Sequence, residues 1–279
     1  CGACRVADRL FHTGEKRRDI IVHPVLIRIG PLTIHTYGVL VAAGFLLGLA
    51  LAVRQAKKEE ILPERIIDIG FYVLLAALIG SRLFFVAINP AYYFRHPLDI
   101  FKIWEGGLVF YGGLILAIPT ALWYIRRHSL DFWKMSDIFA PSLAIGHAIG
   151  RLGCLSAGCC FGRPTDLPWA ITFLDPECLA QTGIPLHPTQ LYESTGELVI
   201  FGILLALRRH QSFQGQIFLA YLLLYSVLRF TVEIFRGDVG RGFVISGLSV
   251  SQAISLLMGI IALFMLAKKI KGNTKGSDR

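Results

Sequence analysis

Seven stretches of this chain, roughly residues 37 to 53, 66 to 88, 108 to 125, 137 to 153, 190 to 207, 216 to 234 and 249 to 267, are apolar and about as long as a bilayer is thick. In an α-helix, ~20 apolar residues cross the hydrocarbon core. Inside lipid no water satisfies a backbone N–H or C=O, so such a segment closes its hydrogen bonds on itself. The sequence therefore predicts an all-α, polytopic integral membrane protein of about seven transmembrane helices. A composition of 54% hydrophobic and only 17% charged residues excludes an ordinary soluble domain. The fourth stretch is short and interrupted by Pro141, Gly146 and Gly150, and no internal repeat is visible.

Basic residues fall at alternate junctions between these stretches. Arg54, Lys57, Lys58 and Arg65 follow the first, Arg126, Arg127 and Lys134 the third, Arg208 and Arg209 the fifth, and Lys268, Lys269 and Lys271 the last. Cytoplasmic loops hold the excess of Lys and Arg. The C-terminus is therefore expected in the cytoplasm, with the N-terminus and segments 89 to 107, 154 to 188 and 236 to 248 outside. Arg5, Arg9, Lys16, Arg17, Arg18 and Arg28 then lie on the outer side, but most are far from the first span, where charge weighs less. Topology and anionic lipid account for the net charge of +9, and no nucleic-acid partner is needed. Residues 1 to 30 read as an N-terminal extension, 31 to 272 as the transmembrane domain and 273 to 279 as a solvated cytoplasmic tail. The extension opens Cys1-Gly2-Ala3-Cys4 and contains no apolar signal-peptide core; lipidation at Cys1 and a disordered basic stretch are its two readings.

Two arginines stand out from this apolar background. An unpaired guanidinium at membrane depth is costly, so Arg151 in Gly150-Arg151-Leu152-Gly153 and Arg229 at the end of the sixth stretch mark a candidate functional site. Glu233 is four residues after Arg229, one helical turn further on the same face. Together they suggest a basic pocket for an anionic lipid head group. The bland alternatives are a snorkelling anchor for Arg151 and a purely structural ion pair for Arg229 and Glu233. Tyr37 also reads as an interfacial aromatic, His35 as a headgroup-level residue, Gly112-Gly113 as helix packing and His147 as a packed histidine.

The motifs run in a telling order: His35-Thr36-Tyr37-Gly38, then Gly112-Gly113, then Gly150-Arg151-Leu152-Gly153, then Gly162-Arg163-Pro164-Thr165-Asp166-Leu167-Pro168-Trp169-Ala170, then His187-Pro188-Thr189-Gln190-Leu191-Tyr192-Glu193, and last Arg229-Phe230-Thr231-Val232-Glu233-Ile234-Phe235-Arg236. From about His23 to Gln252, nearly the whole chain, this pattern resembles the prolipoprotein diacylglyceryl transferase family. The resemblance implies a bacterial inner-membrane enzyme with seven spans and an active site toward the outer side. Such an enzyme transfers the diacylglyceryl group of phosphatidylglycerol to the lipobox cysteine of a preprolipoprotein signal peptide, releasing glycerol phosphate and leaving a thioether. It also implies catalytic roles for Arg229, Glu233, Tyr111 and Tyr37, and substrate contacts from Arg151, Gly112, Gly113, Gly150, Gly153, Gly162, His187, Gln190, Tyr225 and Arg236. Membrane lipids surround it, and no metal, nucleotide or other cofactor is implied. The chemistry suits the residues: guanidinium holds phosphate through a bidentate fork and does not deprotonate.

Three positions depart from the family pattern. Tyr111 stands where the family usually has His, Cys154 where it has Asn, and Cys159 where it has Glu. Tyr111 retains a hydrogen-bonding hydroxyl, but phenol is a weak base near neutrality; His147, a turn before Arg151, is a second imidazole to consider. For Cys154, Cys159, Cys160 and Cys178 three readings are open: a disulfide tying the loop near Gly162, free thiols packing as small apolar groups, and a metal cluster whose spacing is not Cys-x-x-Cys. Besides the transferase, the sequence is compatible with a member that moves a lipid group to another acceptor, and with a non-catalytic protein that binds anionic lipid.

Overall fold

The structure is a computed structural model and describes residues 19–20, 24–30, 32–102, 106–237, 243–245 and 248–277. Among the described residues the long elements are helices: α1 (Thr36–Lys58), α2 (Pro63–Ile88), the short α3 (Pro90–Arg95), α4 (Phe110–Arg127), α5 (Phe132–Ala157), α6 (Thr189–Arg208), α7 (Gln216–Glu233) and α8 (Val250–Ser277). Six of these, α1, α2, α5, α6, α7 and α8, are long and apolar enough to cross a membrane. The expected third span does form a helix, α4. Its composition is diluted by Gly112-Gly113, Pro119 and the terminal Arg126-Arg127. The fourth is longer than expected: α5 runs through Pro141 for 26 residues.

The strands are what the all-α expectation omits. They are β1 (Asp19–Ile20), β2 (Val25–Ile29), β3 (Leu32–His35), β4 (Ile171–Phe173), β5 (Pro185–Leu186), β6 (Phe243–Ile245) and β7 (Leu248–Ser249). Runs of two to five residues are too short to leave a period-two pattern in the sequence.

The chain divides into two compact units, each assembled from separated segments. One comprises Ala42–His147, Glu197–Ser226 and Leu257–Arg279. Its apolar centre is Ala52, Ala56, Ile66, Ile69, Tyr124, Ile125, Met135 and Ile138. Around this centre the basic helix ends are tied by charge. Asp137 is buried at the start of α7, where it accepts hydrogen bonds from the Gly215 and Phe218 N–H groups at 2.6 and 2.8 Å and from Gln211 Nε2 at 2.6 Å. A carboxylate there satisfies orphan N–H groups and faces the positive end of the helix dipole. Arg208 donates to the Asp137 carbonyl at 2.8 Å and to Glu59 at 3.2 Å.

In the same unit α2 and α4 meet through glycine. A Cβ on Gly80 would lie 2.3 Å from the Gly112 carbonyl oxygen, one on Gly112 2.4 Å from the Gly80 oxygen, and one on Gly113 2.6 Å from Ser81 Oγ. Small residues let two backbones approach closely in a membrane. Arg82, near the end of α2, is buried and donates to the carbonyls of Asp99, Ile100, Lys102, Gly106 and Gly107. It gathers into one knot a loop whose carbonyls point inward.

The other unit comprises Cys1–Val41, Ala148–Gly196 and Val227–Leu256. Its strands form the sheet β1-β4-β5, with β1 parallel and β5 antiparallel to β4, and the hairpins β2-β3 and β6-β7. Ile171, Phe173, Cys178, Ala180 and Leu186 make its apolar centre.

Asp137→Ala is expected to strand the Gly215 and Phe218 backbone donors and to lower stability by about 2 kcal/mol, the cost of buried unsatisfied groups. Asp137→Asn, which keeps an acceptor, should lose less. Thermal unfolding in detergent reads both, and equal transitions for parent and alanine variant would remove the capping role.

Candidate active site

The charged residues singled out from the sequence converge on one carboxylate that was not. Glu193 on α6 is buried and accepts a hydrogen bond from Arg151 Nη2 at 2.8 Å through Oε1. Its Oε2 lies 4.0 Å from Arg229 Nη1. Arg229 Nη2 in turn pairs with Glu233 Oε2 at 2.6 Å and donates to Ser251 Oγ at 3.2 Å. The expected pair Arg229–Glu233 is thus one end of a chain Arg151–Glu193–Arg229–Glu233, carrying two positive and two negative charges. Removing ions from water costs several kcal/mol apiece, and alternation of sign is what makes the buried cluster tolerable.

A sequence signal for Glu193 exists in the pattern of α6. Thr189, Gln190, Glu193, Ser194 and Glu197 are each no more than 3% exposed. Gln190, Glu193 and Glu197 fall at helical spacing, so the helix carries a buried polar stripe. Ser194 Oγ donates to the Ala148 carbonyl at 2.9 Å, fastening the stripe to the turn of α5 before Arg151.

The loop after α5 is placed by a glycine cap and by the top of the stripe. Gly158 has φ +67°, its N–H bonds to the Leu155 carbonyl at 3.1 Å and the Cys159 N–H reaches the Cys154 carbonyl at 3.1 Å. This pair of bonds is the Schellman ending of a helix. Thr189 Oγ1 then holds the Cys160 carbonyl and Gln190 Nε2 the Cys159 carbonyl, each at 2.7 Å. Gln190 is therefore placed on the loop backbone. Among the described residues Cys154, Cys159, Cys160 and Cys178 form no disulfide.

Gly162 lies where three segments cross. Its N–H bonds to the His187 carbonyl at 2.9 Å, and it bridges Arg236. A Cβ at Gly162 would meet the His187 and Phe235 carbonyl oxygens at 2.7 Å. The His187 ring lies 5.3 Å from that of Phe235, tilted against it, and its Nδ1 sits 3.2 Å from the Tyr192 hydroxyl. Burial, and then the Arg163 guanidinium, hold its imidazole below the ordinary histidine value, so it is neutral near neutrality. Gly153 packs on Tyr37, a Cβ there falling 3.3 Å from the Tyr37 ring, whereas a Cβ on Gly150 would meet nothing within 4 Å.

Three further expectations fall in the other unit. Tyr111 is 54% exposed at the first turn of α4, ahead of the packed Gly112 and Gly113. Tyr225 stacks on Tyr221 and lies 5.4 Å from the His147 ring. His147 Nδ1 is 2.7 Å from the buried Glu197 carboxylate.

Residues 24–268 match the family model described as prolipoprotein diacylglyceryl transferase. Several relatives carry the name phosphatidylglycerol–prolipoprotein diacylglyceryl transferase. The one from Finegoldia magna is 40% identical over 243 residues, covering 87% of this chain and 93% of the relative. That from Bacillus velezensis is 34% identical over 256 residues, 90% and 94% of the two chains. That from Bordetella parapertussis is 40% identical over 243 residues, 85% and 91%.

Two glycine substitutions separate close approach from open space. Gly162→Ala is expected to destabilise by about 2 kcal/mol, since two backbone carbonyls would have to move. Gly150→Ala, with a helical site and no neighbour in the way, should hold or gain up to ~1 kcal/mol. Thermal unfolding checks the contrast, and equal effects of the two changes would refute it.

Proposed function

The chain belongs to the prolipoprotein diacylglyceryl transferase family, and we propose that it performs the transfer its relatives are named for, moving the diacylglyceryl group of phosphatidylglycerol to a prolipoprotein. It is a multi-pass membrane protein and a transferase. The acceptor is the lipobox cysteine of the preprolipoprotein, reached from the outer side of the inner membrane. The thiol gives up its proton and its sulfur forms a bond to the glyceryl carbon. The bond from that carbon to the phosphate oxygen breaks, and glycerol phosphate leaves with the electron pair. Negative charge grows on the departing phosphate, so a fixed cation beside it favours the transition state over the bound lipid.

The single observation that carries this reading is Glu193 held between Arg151 and Arg229. It orients two guanidiniums at membrane depth. Arg151 is the proposed phosphate-holding residue, with Gly150 leaving room at its side; Arg229 and Glu233 work as a unit.

Mass spectrometry of a lipobox peptide incubated with phosphatidylglycerol and the purified protein tests the activity: the peptide should gain a diacylglyceryl group, and an unchanged peptide would refute it. In the same assay Arg151→Ala should cost about 10² to 10³ in turnover, the magnitude for loss of one anion-stabilising donor. Arg151→Lys, which keeps charge without the fork, should fall between. Turnover near the parent's in the alanine variant would remove the phosphate-holding role.

For Arg229 and Glu233, at 2.6 Å, removal of either charge is expected to cost about as much as removal of both. Rate losses that add logarithmically would show two independent roles instead.

A further inference from the structure

Three of the four cysteine thiols among the described residues meet at one point. The sulfurs of Cys154, Cys159 and Cys160 all lie within 4.8 Å of one another. Two features of the backbone cause this. In a Schellman ending the residue after the capping glycine folds back against the residue five positions before it, which here sets Cys159 over Cys154. Consecutive side chains of an extended chain point to opposite sides, but Cys160 has φ +61° and turns its thiol back toward the same centre. A non-glycine residue in that left-handed region is strained by about 1 to 2 kcal/mol. The strain is sustained because buried Thr189 and Gln190 clamp the carbonyls of both loop cysteines.

We propose that Cys154, Cys159 and Cys160 form a three-thiolate site for a soft divalent metal ion of the zinc class. Zn–S bonds are ~2.3 Å, and a tetrahedral arrangement places sulfurs ~3.8 Å apart, so the thiols need to close by no more than about 1 Å. Thiolate ligands select Zn²⁺ over hard cations such as Mg²⁺ and Ca²⁺. Three thiolates and a divalent ion sum to one negative charge. Arg151, one turn before Cys154, and Arg236 both act electrostatically on Cys160 and offset it. Among the described residues the group consists of these three ligands, so the fourth tetrahedral position is left for water or an incoming thiol. A disulfide would engage two of the three sulfurs and leave unexplained why the third is turned inward. The ion would also cross-link the end of α5 to the loop leading to Gly162, and Cys178 takes no part.

The test is metal binding and needs no transfer activity. The full chain, purified in detergent under reductant and exposed to Zn²⁺, should hold about one ion per chain by elemental analysis. Cys154→Ser, Cys159→Ser and Cys160→Ser should each weaken binding at least tenfold, and Cys178→Ala should leave it unchanged. Co²⁺ added to the parent should give a thiolate-to-cobalt charge-transfer band and the visible bands of a tetrahedral site. That readout stands even if a serine variant does not fold. Absence of the cobalt bands in the reduced parent, or equal zinc content in the parent and a folded serine variant, would overturn the proposal.

Discussion

The buried carboxylate of Glu193 is the interaction on which the candidate site depends. Arg151 and Arg229 come from helices far apart in sequence, and each is a cation in an apolar setting. Glu193 contacts one at 2.8 Å and the other at 4.0 Å. Without it, two like charges would face one another in a medium where such repulsion is poorly screened. With it, the two guanidiniums are held in one cluster by a shared counter-charge.

The loop that closes the region depends on the same helix. Thr189 and Gln190 stand one turn before Glu193 and hold the carbonyls of Cys160 and Cys159. One face of α6 therefore sets both the charged cluster and the cysteine loop. The crossing of Gly162 with His187 and Arg236 completes a small polar body at the helix ends, built on short strands and one close backbone approach.

Much of this was legible in the sequence, for reasons that differ between residues. The long helices were written in apolar length, and the pairing of Arg229 with Glu233 in helical spacing, because both are local properties. Glu193 was visible as a member of a motif, but its partners lie 42 and 36 residues away in the chain, and no local pattern reports such a contact. Arg82 has no signature in the sequence: it serves backbone carbonyls, which leave no trace in side-chain identity. The helix α4 is legible as an apolar stretch, while its glycine pair is pressed against α2, a contact that the Gly-Gly sequence allows and does not specify. The cysteines illustrate the same limit. Spacing alone left disulfide, packing and metal readings open, and it took the helix ending and the left-handed Cys160 to show three sulfurs in one place.

The polar stripe of α6 bears on how such a chain enters its membrane. An ionised side chain near the middle of a lone helix raises the cost of partitioning from the translocation channel into lipid by about 2.5 to 3.5 kcal/mol. Glu193 and Glu197 both ride on α6, together with Thr189, Gln190 and Ser194. Although long and apolar enough to cross, this segment bears that cost when it stands alone. It becomes compatible with lipid once Arg151 and His147 of the preceding α5 are there to meet it. The helix that carries these partners, α5, precedes α6 in the chain and is synthesised first.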